Sequence, residues 1–241
     1  MRIRRDNMNG YTLKILGALM TYPTVELQQS VGEMADQLKR EGWLSDKNLK
    51  NLQKLFDEIA TTDILDLQEE YVVLFDRTPS LALHLFEHVH GDSRDRGQAL
   101  VELDLLYREI GLNNVTEHTP DYLPMFLEFL SLQTVEEARN NLDGAIDVIA
   151  IIGERLKKRE SHYSVLFDAL KETASSKPDE EKLASALKLN SGAPLSQEEM
   201  DDAWEEQFAF DNTPKDDDSC PKAHDMLARM NEDISKPEAQ K

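Results

Sequence analysis

The chain has 241 residues, of which 40% are hydrophobic and 31% charged, with a formal net charge of −20. That length holds one or two domains with a real core. So acidic a chain argues against nucleic acid and anionic membrane surfaces, which require basic patches; it favours a basic partner such as an arginine-bearing peptide, although acidity also serves solubility alone.

Glycine and proline are scarce and nearly every periodic segment has helical spacing, which predicts an all-α fold. An opening turn spans Tyr11 to Met20, and Pro23-Thr24 resets the chain. Leu27, Val31, Met34 and Leu38 mark one face of the next helix. Ser45 can cap a helix with the face Leu49, Leu52, Phe56 and Ile59. A third begins at Asp63, with Ile64, Leu67, Tyr71 and Leu74 or Phe75 in register. After Pro79 a short apolar helix is expected from Ser80 to about Val89, ended by Gly91 at a position that often needs positive φ. Asp92 or Ser93 can cap its successor. That helix carries Ala99, Leu103, Leu106 and Ile110 and ends at Gly111.

Thr119-Pro120 is a helix-start signal. The segment from there to Ser131 is apolar all round, as befits the centre of a bundle. Thr134 and Glu137 have capping-box spacing, and Asp143-Gly144 is expected to weaken or restart that helix before Ala145 to Leu156. Tyr163, Leu166, Phe167 and Leu170 form a last core helix. From Thr173 onward eight Lys and Arg face seventeen Asp and Glu, a poor composition for a core. Residues 1–172 therefore read as one all-helical domain and 173–241 as a largely flexible acidic tail. Local helices are allowed in it, one from the capping-box pair Ser196 and Glu199 through Trp204 to Phe208. Removal of the tail at about Thr173 is expected to leave the fold intact.

Cys220 is the only cysteine, which excludes an intramolecular disulfide and a cysteine-cluster metal site. The basic start, Met1 to Gly10, leads into no apolar run of signal-peptide type, and no stretch approaches a membrane span. The chain reads as cytoplasmic and soluble. No dinucleotide-binding fingerprint, phosphate-binding loop or nucleophile elbow is present.

Chemistry concentrates between Leu83 and Gln98, where sixteen positions hold three of the six histidines, three acids and two arginines. His84-Leu85-Phe86-Glu87-His88 matches the inverted zinc-protease pattern, with two histidines as ligands and the glutamate activating water. The histidines are interleaved with apolar residues, however, and Gly91 ends the helix almost at once. Histidines satisfied by local hydrogen bonds are the favoured reading over a zinc-dependent hydrolase. Arg94 and Arg96 oppose the dipole of their own helix, so they answer to nearby carboxylates or to an anionic partner. A second candidate is the pair Asp121 and Glu128, expected on one side of a helix about 10 Å apart. It either receives two basic side chains of a bound segment or bonds the chain's own arginines, Arg94 and Arg96 included.

Several stretches carry a resemblance: Tyr71 to Arg77 (YVVLFDR), Leu85 to Gln98 (LFEHVHGDSRDRGQ), Leu123-Pro124 through Glu128-Phe129-Leu130, Trp204-Glu205-Glu206, and Leu19 to Pro23. Together, over about residues 11 to 210, they resemble the respiratory nitrate reductase assembly chaperones, also called delta subunits or molybdenum cofactor assembly chaperones. Tyr122 stands where related maturation chaperones often carry histidine. The resemblance implies a single-domain helical bundle of the redox-enzyme maturation chaperone type, with no catalytic activity and no stably bound cofactor. Such proteins bind the N-terminal segment of the apo catalytic subunit of nitrate reductase and hold it off the membrane. They permit insertion of molybdopterin guanine dinucleotide and an iron–sulfur cluster, and they are absent from the finished enzyme. Proteins of molybdenum cofactor biosynthesis are further expected partners, and another molybdoenzyme is the alternative client. The client groove is expected between the helices holding Tyr71 to Phe75, Glu87 to Arg96 and Asp121 to Glu128. Leu74, Phe75 and Leu123 would give apolar contact, and Glu87, Asp121 and Glu128 would meet basic client side chains. Tyr71, His88, His90 and Tyr122 complete the set. Gly91, Asp92, Ser93, Arg94, Asp95 and Arg96 are expected to fix the corner.

Overall fold

Capping chemistry sets most helix starts. The structure is a computed structural model that describes residues 10–90, 94–114 and 118–189. Helix α1 spans Tyr11–Ala18. Thr24 caps α2 (Val25–Glu41) by accepting the Leu27 N–H at 3.2 Å. Ser45 caps α3 (Asp46–Thr61) and Asp63 caps α4 (Ile64–Tyr71). Each such cap contributes about 1 kcal/mol, because it satisfies a donor that the helix itself leaves unbonded. A single π-helical turn, Val72–Asp76, continues α4, closed by the Arg77 N–H on the Val72 carbonyl at 2.9 Å.

Two short helical pieces follow, a 3₁₀ turn at Pro79–Leu81 and α5 (Glu87–His90), before α6 (Arg94–Glu109). The single helix expected from Ser80 to Val89 is therefore not formed. His84 instead forms an isolated antiparallel bridge within a bend and turn: the Leu85 N–H bonds the Asp121 carbonyl at 3.0 Å, and the Leu83 carbonyl accepts the Leu123 N–H at 2.8 Å. Among the described residues this His84–Tyr122 bridge is the one β-type pairing. The apolar run suits helix and strand equally, and the backbone groups across from it decided the outcome.

Helix α7 (Leu123–Ser131) begins three residues beyond the Thr119-Pro120 signal, with Pro124 rather than Pro120 in its first turn. A missing N–H costs nothing there. Helix α8 (Val135–Lys158) opens with the capping box of Thr134 and Glu137 and runs unbroken through Asp143-Gly144. Then come α9 (Ser164–Thr173) and α10 (Glu180–Leu189). In α6 the inward position near the end is taken by the buried Tyr107, whose hydroxyl donates to the Pro120 carbonyl at 2.7 Å, while Ile110 is exposed.

Helix α7 is the hub: all its residues except Glu128 and Ser131 are buried. Helix α1 packs chiefly on α7, α2 on α3, and α8 on α9 and α10. Close approach of α1 to α7 depends on two glycines. Gly10 has φ +64°, and a Cβ there would stand 2.3 Å from the Ser131 carbonyl oxygen; at Gly17 a Cβ would stand 3.0 Å from the Pro124 carbonyl oxygen. Only glycine takes the first backbone shape without strain.

Carboxylates from distant segments close several helix starts. Glu41, at the end of α2, accepts the N–H groups of Tyr11 and Thr12. Glu172 accepts the Ser45 N–H at 2.9 Å. Beyond Thr173 the chain stays on α8: Asp143 accepts the N–H groups of Ser175 and Ser176, and Asp147 that of Asp179. The helix expected through Trp204 to Phe208 lies outside the described residues, as does Cys220. Among the described residues no helix is long and apolar enough to cross a membrane.

Candidate functional site: two cavities divided by Tyr122

Asp121 is fully buried in the turn that leads into α7. Its Oδ1 accepts the Thr119 hydroxyl and lies 3.4 Å from His84 Nδ1; its Oδ2 accepts the Phe86 N–H at 3.0 Å. The Thr119 proton is committed to the carboxylate, so His84 Nδ1, 3.0 Å from the Thr119 oxygen, carries the hydrogen. Burial alone would raise the Asp121 carboxyl, but the bonds from His84, Thr119 and the Phe86 amide outweigh it and hold the group below its ordinary value. Asp121 thus lies ahead of the helix and is sealed from solvent, whereas Glu128 sits on an exposed face and pairs with Lys14 at 3.1 Å. The two do not share one side as the spacing suggested.

The turn that Asp121 locks positions Tyr122. Its hydroxyl is 3.0 Å from that of Tyr71, which in turn donates to the Met20 carbonyl at 3.0 Å. Burial pushes both phenols above their ordinary values, so both stay protonated as hydrogen-bond donors.

Two concavities meet at this tyrosine. The larger, about 270 Å³, is a groove between α1 and α7. Gly17, Ala18 and Thr21 form one wall, Pro124 and Met125 the other, and Leu112 to Asn114 close a third side, with the Lys14–Glu128 pair at one end. The smaller, about 110 Å³, opens between the π turn and the His84–Tyr122 bridge. Tyr22, Tyr71, Phe75 and Tyr122 supply its rings; Asp76, His84 and His118 supply its polar atoms. His118 stacks on Tyr122 with ring centres 3.9 Å apart. Burial raises the Asp76 carboxyl, partly offset by His118 and His84. A π turn inserts one residue into the helix, and this one turns Phe75 and Asp76 toward the cavity.

The structure distributes the residues expected to bind a client. Tyr71, Phe75 and Tyr122 line the small cavity, and Tyr122 and Glu128 border the groove. Leu74 and Leu123 belong to the buried core. Glu87 pairs with Arg96 at 3.1 Å across the corner. His88 is turned inward, its Nε2 donating to the Ala82 carbonyl at 2.7 Å; burial lowers its imidazole below the ordinary value. Gly91, Asp92 and Ser93, with the side chains of His90, Arg94 and Asp95, lie outside the described residues. His84 and His88 face different partners, and no cluster of three metal-ligating side chains occurs among the described residues. Sequence reasoning missed Asp76, Tyr22, His118 and the α1 wall. The small pair Gly17-Ala18 between Leu16 and Leu19 was a usable signal for close helix approach.

The sequence matches known proteins along most of its length. The model of the nitrate reductase delta subunit family matches residues 25–188. The chain is 36% identical over 195 residues to the nitrate reductase molybdenum cofactor assembly chaperone NarJ of Escherichia coli K12, covering 81% of this chain and 82% of that protein. It is 34% identical over 210 residues to a second protein of that strain, named probable nitrate reductase molybdenum cofactor assembly chaperone NarW, covering 86% and 87%. Over 159 residues it is 26% identical to a Bacillus subtilis protein named probable nitrate reductase molybdenum cofactor assembly chaperone NarJ, covering 66% and 85%.

Proposed function

The chain belongs to the nitrate reductase delta subunit family, and from that premise we propose that it is the molybdenum cofactor assembly chaperone of a nitrate reductase, with no catalysis of its own. On this reading it binds the N-terminal segment of the apo catalytic subunit before membrane attachment. It holds that subunit open for insertion of molybdopterin guanine dinucleotide and an iron–sulfur cluster, and it leaves the finished enzyme. The cofactor is cargo for the client rather than a resident of this chain.

The observation that carries the reading is the groove between α1 and α7. Its walls are small or apolar, and it is open on the side away from the core. Such a groove suits one or two apolar side chains of an amphipathic helix, with charged groups at the rim. Lys14 and Glu128, already paired, can exchange partners with charges on the client at little cost, because an exposed pair contributes only about 0–1 kcal/mol. Asp121, by contrast, acts by holding Tyr122 in place.

Titration of a synthetic peptide of the client's N-terminal segment into the full chain tests this. Ala18→Arg places a long charged side chain in the groove and is expected to abolish binding while leaving the melt nearly unchanged. Full affinity in that variant removes the groove from the site. Co-purification of a molybdoenzyme subunit other than nitrate reductase would redirect the proposal to that client.

A further inference from the structure

The small cavity holds a carboxylate, Asp76, that faces the imidazoles of His84 and His118 but accepts no hydrogen bond and forms no ion pair among the described residues. Most other acids near a functional surface are committed: Asp121 to the Phe86 amide, Glu41 to α1, Glu128 to Lys14 and Glu87 to Arg96. Asp76 is exposed at the end of the π turn, and no hydrogen bond or ion pair reaches it among the described residues. Its surroundings are rings. Tyr71 and Phe75 have centres 5.0 Å apart, Tyr22 meets Tyr71 edge-on at 5.7 Å, and Tyr122 closes the cavity opposite them.

That combination selects one ligand chemistry. Aromatic faces attract cations through their quadrupole, and a neighbouring carboxylate supplies the full counter-charge. An apolar occupant would desolvate the Asp76 carboxylate without giving it a partner. An anion would meet the carboxylate directly. The volume, about 110 Å³, admits several water-sized groups and hence a side-chain head group, but no turn of helix. A planar guanidinium stacks on rings while offering paired N–H donors to a carboxylate, which an ammonium cannot do.

We propose that this cavity is a subsite for one arginine side chain of the bound client segment, held by Asp76 within the rings of Tyr22, Tyr71, Phe75 and Tyr122. The subsite rests on the reading that the chain binds a client's N-terminal segment. Because Tyr122 borders both cavities, a segment whose apolar side chain fills the groove brings a nearby residue to the subsite.

The test is calorimetry of the full chain with a synthetic peptide of the N-terminal segment of the nitrate reductase catalytic subunit, and with versions in which each arginine singly becomes citrulline. Citrulline keeps the shape and removes the charge. Asp76→Asn is expected to weaken the parent peptide about tenfold, or about 1.4 kcal/mol. One citrulline peptide should lose the same factor against the native chain and nothing further against Asp76→Asn, while every other replacement loses equally against both. The variant's thermal melt serves as the check on its integrity. Native-like affinity of Asp76→Asn, or additive losses at every arginine, overturns the subsite and leaves peptide binding standing. Failure of the native chain to bind the parent peptide overturns both.

Discussion

The Asp121 carboxylate accepts the main-chain N–H of Phe86 at 3.0 Å, joining two segments 35 residues apart at the point where both cavities are framed. A buried charge is tolerated only where hydrogen bonds compensate it, and here three do so. Asp121→Ala is expected to destabilise the fold by about 3 kcal/mol, because it orphans the Phe86 amide and the Thr119 hydroxyl. Asp121→Asn keeps an acceptor for the amide and should cost about half as much. Urea unfolding of the two variants measures the difference; equal losses would show that the charge matters more than the bonds.

His88 gives the protein a defined response to mild acid. Burial holds its imidazole low, with Arg155 acting in the same direction and the Ala82 carbonyl, Glu87 and Asp121 opposing. A histidine depressed on folding takes its proton first in the unfolded chain, so stability is lost as pH falls below about 6.5 and until the folded group is also protonated. His88→Gln keeps a donor for the Ala82 carbonyl and removes the titration. Its melting temperature should therefore decline less than that of the native chain between about pH 6.5 and pH 5. Glu70 and Asp76 have carboxyls raised by burial, which act in the opposite sense nearer pH 4 and are common to both proteins. Parallel declines in the two proteins would refute the assignment.

Two glycines separate stability from recognition. A Cβ at Gly153 of α8 would stand 2.7 Å from Phe167 Cβ, an atom fixed beside the α9 backbone. Gly153→Ala gains about 1 kcal/mol of helix propensity and loses about 1–3 kcal/mol to overpacking, a net destabilisation expected near 1 kcal/mol. Its peptide affinity should not change. Gly17→Ala pushes α1 away from Pro124 and Leu127 and reshapes the groove as well, so it should lose both. Paired melts and titrations distinguish them.

Contacts made beyond Thr173 lead us to expect that the chain can be shortened after Leu189 with less loss than at Thr173. A chain ending at Thr173 deprives Asp143 of the Ser175 and Ser176 amides and Asp147 of Lys182, paired at 2.8 Å. It also removes the Ala186 carbonyl from Arg155. We expect that truncation to melt several degrees lower, and a chain ending at Leu189 to melt as the full protein does. Identical melts for both truncations would place the boundary back at Thr173.

Helix starts at Thr24, Ser45, Asp63 and Thr134 were legible in the sequence because a cap is written within three residues of the helix it begins. The segment from Ala82 to Phe86 was not: its apolar run fits either period, and the Asp121 and Leu123 backbone groups that settle it come from far along the chain. Charge was legible and its destination was not. Asp121 could have met a client or the corner arginines, and its oxygens instead went to His84, Thr119 and Phe86. Asp76 and Tyr22 stood in plain view within familiar-looking stretches. The cavity they share takes its walls from four separate segments, and no local pattern announces such a meeting.

The carboxylate caps on α1, α3 and the stretch after Thr173 bear on how the chain should respond to salt. Repulsion among the acids that leave a net charge of −20 acts over many ångströms. It fades once the screening length shrinks to about 10 Å near 0.1 M salt. The caps act at hydrogen-bond distance, well inside that length. Added salt is therefore expected to weaken the long-range repulsion more than the short bonds between distant segments, so this acidic fold should melt higher as salt is raised.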